Sequence, residues 1–267
     1  PQNVIFVPNI FLNFAFDSQK PAITTNQQPL ILISNDDGID APGLRYLVEQ
    51  AAPLGHVIVS APDSAQSGKA SAITVDEPLR IHRHDDYCGA EMYSVSGTPV
   101  DCIKLALHAI VPRKPDIMLS GINHGSNSGN SVIYSGSMGS VMEACMAGID
   151  AVGFSLLHHS WAADFSGCAE TVQTIVSHVI RHGLPDDVCL NVNIPARCTP
   201  KGIKVVEASR GHWTEEYRDY TAPNGSKFYM LTGEYIDEDP DNAATDNYWL
   251  KREYVSVVPV RPDQTCT

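Results

Sequence analysis

The segment Leu30–Gly38, LILISNDDG, constrains this chain more than any other: an unbroken run of strand-forming residues stops at two adjacent carboxylates and a glycine. A short apolar run bounded by turn residues reads as a strand buried on both faces, the kind found in a parallel sheet covered by helices. In open α/β sheets, ligands bind beyond the carboxyl ends of such strands. Asp36 and Asp37 at that position repel each other, and a hard divalent cation with its preference for oxygen ligands supplies the counter-charge. NDDG is also a good turn sequence, through Asx hydrogen bonding and a glycine free to take φ > 0. The fragment alone supports either reading.

From residue 30 onward strands and helices alternate. LILIS, HVIVSAP (56–62), DIMLS (116–120), AVGFSL (151–156) and CLNVNIP (189–195) read as strands. PGLRYLVEQAA from Pro42, PVDCIKLALHAIV (99–111), Ser137–Ala147 and Ala163–His182 read as helices. The alternation implies βαβ units and a Rossmann-like α/β core, a mostly parallel sheet flanked by helices. After residue 200 the character changes. KGIKVVEAS, KFYMLTGEYI and REYVSVVPV are strand-like, with no helix expected between them. The expected organisation is an N-terminal extension over 1–28, an α/β catalytic core over 29–200, and a β-rich C-terminal extension over 201–267 that returns to the core.

Charge and cysteines narrow the function. The net charge is −13, which argues against a broad grip on duplex nucleic acid. Small anionic substrates stay open, because a bound metal reverses the local field. No apolar run reaches a bilayer-spanning length, so no membrane partner is expected, and residues 1–28 lack the basic start of a signal peptide. The 7 cysteines are odd in number and form no CxxC pair. They read as reduced thiols of a cytoplasmic enzyme rather than a zinc site or a disulfide framework.

Three loops follow successive strands and are expected to converge on one sheet edge. They carry Asn35, Asp36 and Asp37; then Ser67 and Gly68; then Gly121, Asn123, Gly125, Asn127 and Gly129. Aspartate, hydroxyl and amide oxygens suit Mg²⁺, Mn²⁺ or Ca²⁺. Tyr134-Ser135-Gly136-Ser137 directly precedes a helix, where free N–H groups bind phosphate. Asn127, Ser135, Gly136 and Ser137 are therefore the candidate substrate-binding residues. His124, inside the third loop, either touches substrate or is a locally bonded loop residue. Glu143 is expected to be structural or solvent-facing, Cys102 to lie in the core, HRHDD (82–86) to be a solvated turn, and DEDPDNAATD (237–246) a solvated loop.

SNDDGIDAPGL (34–44), APDSAQSGKAS (61–71) and SGINHGSNSGNSVIYSGSMGSVMEA (120–144), with GTPVDC (97–102) and TDNYWLKREYVSVVPV (245–260), together resemble the SurE family of stationary-phase survival proteins. That family consists of metal-dependent 5′/3′-nucleotidases. The resemblance implies a divalent metal, Mg²⁺ or Mn²⁺, on Asp36, Asp37, Ser67 and Asn123, and a nucleoside monophosphate substrate. Asp36 or Asp37 would orient a water, act as base or attack directly, while Asn123 and the helix start would stabilise developing charge. Ser137 stands where the family usually has threonine, and residues 1–28 have no counterpart there. The β-rich extension implies a homodimer or homotetramer, with contacts expected from KFYMLTGEYI (227–236) and the apolar patch Val4–Phe16. A phospho-receiver module would also place paired acids after its first strand. It would need a further strand-end aspartate, and neither DIMLS nor AVGFSL ends in one. No G-x-G-x-x-G follows the first strand, which disfavours a dinucleotide enzyme.

Overall fold

Strand β1 (Leu30–Ser34) is apolar almost throughout because helices cover both of its faces. The computed structural model describes residues 28–265. All five residues of β1 are buried. Ile31 and Ile33 enter the core beneath α1 (Pro42–Ala51) and α4 (Ala169–His182). Leu32 enters the opposite core with Ile103 of α2 (Pro99–Leu105) and Met138 and Val141 of α3 (Gly136–Met146). Burying each such side chain contributes about 1.5–3 kcal/mol, so a polar residue is not tolerated on either face until the strand ends.

The main sheet also holds β2 (His56–Pro62), β3 (Ile81–Tyr87), β4 (Ala90–Val95), β5 (Ile117–His124), β6 (Asp150–Leu156), β7 (Cys189–Ile194), β8 (Ile203–Val205) and β13 (Val255–Val260). Its nine strands run in the order β3-β4-β2-β1-β5-β6-β7-β13-β8. β1 pairs in parallel with β2 on one side and β5 on the other. The winding therefore reverses between β1 and β5, which opens a ligand crevice at their carboxyl ends. The C-terminal residues split in two. β8 and β13 join the core sheet. Between them, β9 (Gly211–Thr214) pairs with β12 (Glu234–Asp237), and β10 (Tyr217–Thr221) with β11 (Lys227–Leu231), to build an antiparallel arm. Every residue of β10 and β11 is exposed.

Several expectations need correction. The helix expected over 99–111 is regular only to Leu105 and widens into a π turn over Ala106–Ile110. The helix expected from Ala163 starts at Ala169, after one tight turn at Ser166–Cys168. HRHDD is solvated but forms edge strand β3; the hairpin turn comes later, at Cys88 and Gly89 (φ 51° and 79°). Charged side chains on an exposed edge block strand-to-strand association. Only part of DEDPDNAATD is a solvated loop. Thr245 and Asp246 are buried, and Asp246 begins a single-turn helix, α5 (Asp246–Leu250). One turn is too short to leave a periodic signal. Cys102 lies in the core, the six described cysteines are free thiols, and Glu143 pairs with Lys104 at 2.6 Å. Among the described residues no helix is long and apolar enough to cross a membrane. Val4–Phe16 lies outside the described residues.

Candidate active site

NDDG forms a turn, made by Asn35 and Gly38. Asn35 makes the turn: its Oδ1 accepts from the Gly38 N–H (3.2 Å) and its Nδ2 donates to the Gly38 carbonyl (3.0 Å). Gly38 sits at φ 101°, a conformation that favours glycine. With the turn locked, Asp36 and Asp37 are held at the end of β1.

Asp36 is almost fully buried. Its Oδ1 accepts from the Ser137 hydroxyl at 2.6 Å, and the N–H groups of Gly136 and Ser137 also face its carboxylate. Burial nevertheless keeps its pKa above the ordinary carboxylate range. Asp37 is half-buried and pushed up to about 6, first by burial and then by the charge of Asp36. One hydrogen bond opposes this, from the His124 N–H to Asp37 Oδ2 at 3.2 Å. Two neighbouring carboxyls, both raised, mark an uncompensated negative site.

The helix start is closely tied to Asp36. Its first two N–H groups, Gly136 and Ser137, serve Asp36, and the third, from Met138, is capped by Ser135 Oγ at 3.1 Å. The Ser137 hydroxyl proton is spent on Asp36 too. Gly136 and Ser137 thus support Asp36 directly. Gly136 is required by close approach: a Cβ there would lie 2.9 Å from Asp36 Cβ and 3.2 Å from Pro99 Cγ. Asn127 Nδ2 donates to Ser155 Oγ at 2.8 Å. Ser135 keeps its own hydroxyl proton free to donate.

The three loops do converge. Gln66 N–H donates to the Asp36 carbonyl (2.7 Å), and Ala70 N–H to the Tyr134 carbonyl (3.3 Å). GTPVDC anchors the second loop. Thr98 and Asp101 form the capping box of α2 while Thr98 Oγ1 donates to Ala72 O (2.6 Å) and Thr74 Oγ1 to Asp101 (2.7 Å). A bulge between Ser120 and Asn123 shifts the register of β5 against β6 just before the third loop, as bulges do beside sites. Asn123 Nδ2 donates to the Gly125 carbonyl at 2.9 Å, which leaves its Oδ1 as the open atom.

Asp36, Ser67, Asn123, Asn127 and Ser135 line one cavity of about 530 Å³; Asp37 stands just behind the wall at the His124 backbone. Among the described residues no lysine or arginine lines it. The converging donors are carboxylate, hydroxyl and amide oxygens, which fit a hard divalent cation. His124 is locally bonded and also lines the cavity. Its Nδ1 faces the Ser160 carbonyl (2.9 Å), so that nitrogen carries a proton, and its ring stacks on Trp161 (5.2 Å). Sequence reasoning missed His159 of the loop after β6, whose strand-end position was a usable signal. It also missed Trp213, Glu216 and Tyr217, which reach the cavity from the arm; nothing local announces them. Asp246 was missed as well: its carboxylate accepts from Gly129 N–H (2.8 Å) and Ser209 N–H (2.9 Å), tying the third loop to the arm's base.

The family described as Survival protein SurE matches residues 31–215. A Bacteroides fragilis protein named 5′-nucleotidase SurE is 44% identical over 240 residues, covering 90% of this chain and 94% of that one. A Christiangramia forsetii protein of the same name is 49% identical, covering 90% of this chain and 93% of its own. The crystal structure of the SurE protein from Aquifex aeolicus superposes with a TM-score of 0.77 at 37% identity, covering 89% of this chain and 95% of that one. With the strand-end acids, the three convergent loops and these matches in agreement, the chain belongs to the SurE family.

Proposed function

We propose that this protein is a phosphomonoesterase that hydrolyses nucleoside 5′- and/or 3′-monophosphates to nucleoside and phosphate. The observation that carries the reading is the pair Asp36–Asp37: two raised carboxyls at a sheet switch point, beside a cavity that no basic side chain except histidine lines among the described residues. Relatives named 5′-nucleotidase SurE support the same reading. Asp36, Asp37, Ser67 and Asn123 would hold Mg²⁺ or Mn²⁺. When bound, such an ion polarises a phosphoryl oxygen and lowers the pKa of water.

The chain's own residues divide the remaining work. Ser137 and the start of α3 fix Asp36 so that its free electron pairs keep one direction. Asp37, which accepts a single backbone N–H, orients the attacking water and takes its proton. Ser135 donates its hydroxyl to a phosphate oxygen. Asn123 Oδ1 stays turned to the cation site because its amide is tied to Gly125. Self-association through the arm, as a homodimer or homotetramer, and a cytoplasmic location compatible with six described cysteines outside any disulfide complete the proposal. The test is phosphate release from AMP and from 3′-AMP with Mg²⁺ or Mn²⁺, with and without EDTA. Release that EDTA abolishes is expected. No release with any divalent metal overturns the reading.

A further inference from the structure

The cavity is larger than one phosphate requires, and its lining comes from two regions that differ in chemistry. The strand-end loops supply Asp36, Ser67 and Asn123. The root of the arm supplies Trp213, Glu216, Tyr217 and Leu231. A volume of about 530 Å³ falls in the range that holds a small organic ligand. The arm's contribution suits an apolar group better than a phosphate. It offers two aromatic rings and an aliphatic side chain, and its charged group is a carboxylate, which repels an anion. A flat ring is what aromatic side chains lining a cavity recognise, because every nucleobase presents a π-face.

The root of the arm is also held firmly enough to define a subsite. Asn130 Nδ2 donates to the Gly211 carbonyl at 2.6 Å. A Cβ on Gly129 would come within 2.5 Å of Tyr235 Oη, so third loop and arm meet through a position only glycine can fill. Thr232 closes the base of the β10–β11 hairpin, its N–H donating to Glu216 O (2.7 Å) and its Oγ1 to Glu215 O (2.9 Å). Trp213 packs edge-to-face on Tyr235 with ring centroids 5.7 Å apart. The aromatic part of the lining is therefore anchored to the loop that carries Asn123.

Resting on the nucleotidase reading, we propose that Trp213 and Tyr217 form a nucleoside subsite in which the base stacks, so that the arm of this chain sets the preference for nucleotides over other phosphomonoesters. Ribose 5-phosphate keeps the sugar and phosphate of AMP and lacks the base, which makes it the direct control. The ratio of kcat/KM for AMP over ribose 5-phosphate is measured in the wild type, Tyr217→Ala, Trp213→Ala and Trp213→Phe. Both alanine variants are expected to lower that ratio by about tenfold, the scale of one stacking contact, through KM for AMP. Trp213→Phe, which restores a ring, is expected to recover most of it. Adenosine quenching of intrinsic fluorescence reads the subsite without turnover, and Tyr217→Ala should weaken it. A wild type that turns over both substrates equally, or alanine variants that lower both in parallel, overturns the subsite and leaves the phosphatase reading intact. Release of phosphate from neither substrate overturns the phosphatase reading, and adenosine quenching then still decides the subsite: an unquenched protein overturns it too.

Discussion

The two walls of the cavity are built on opposite principles. On the strand-end wall, Asp36 is 4% exposed and fixed by contacts from Ser137 and the start of α3. On the arm wall, Trp213 is 41% and Tyr217 65% exposed, and the strands beside them touch no core. The difference follows from what each wall handles. Charge interactions depend on direction and distance, so the acids sit where a parallel sheet, a turn and a helix start leave no freedom. Stacking on a ring is sequence-tolerant and forgiving of small displacements, so it can be entrusted to an exposed hairpin.

The largest effect is expected from the strand-end wall. Asp37→Asn removes one of two mutually repelling charges and the proposed proton acceptor, while the amide oxygen still accepts the His124 N–H. Turnover of AMP should fall on the order of 10³-fold, the scale for losing a preorganised electrostatic group. Asp36→Asn should be as severe. In thermal melts, metal-free Asp37→Asn should be no less stable than metal-free wild type, because the repulsion is gone, and should lose the rise in Tm on adding Mn²⁺. Near-normal metal-dependent hydrolysis by either variant would break the contrast between the walls.

A smaller effect is expected one contact further back. Ser137→Ala removes the 2.6 Å bond to Asp36 and leaves a buried carboxylate with one donor fewer. Groups that orient metal ligands are worth about 10–100-fold in activity. Ser137→Thr keeps the hydroxyl and should retain most of the activity. Equal activity of the alanine and serine proteins would show that α3 does not position Asp36. Gly136→Ala tests the same junction sterically. Its Cβ would meet Asp36 Cβ at 2.9 Å, and overpacking of that kind costs about 1–3 kcal/mol, more than the gain of about 1 kcal/mol in helix propensity. A lowered denaturation midpoint with unchanged slope is the expected readout.

What was legible in the sequence follows the same division. LILISNDDG could be read because its determinants are local: an apolar run, an Asx turn and a glycine within nine residues. The convergence of three strand-end loops followed from the βαβ pattern. The contact of the helix start with Asp36 could not be read, because Asp36 lies 101 residues upstream of Ser137. Asp246 was hidden inside an acidic run for the same reason: its partner Gly129 is 117 residues away. Burial of individual carboxylates in an acidic run leaves no compositional trace. The arm's contribution to the cavity is non-local as well, and the strand-like composition of KFYMLTGEYI reveals neither its division between β11 and β12 nor what either strand faces.

The smallest effect on turnover is expected on the outer face of the arm, where the contrast between the walls becomes a statement about assembly. In the β10–β11 register Tyr217 lies opposite Leu231, and both line the cavity. The alternate face carries Arg218 opposite Met230 and Tyr220 opposite Phe228, the last two rings stacked with centroids 5.4 Å apart. An isolated two-stranded hairpin is marginal in water, and an exposed apolar face of this kind is most simply covered by a second copy in closed symmetry. Met230→Glu puts a charge at the centre of that face without touching the cavity. Light scattering should show the wild type as a dimer or tetramer at micromolar concentration and the variant as a smaller species, with AMP turnover largely kept because one chain supplies both walls. A monomeric wild type would sink the assembly proposal. An unchanged oligomer in the variant would move the contact away from the arm. Loss of turnover together with dissociation would mean that the arm wall holds its shape only against a neighbour.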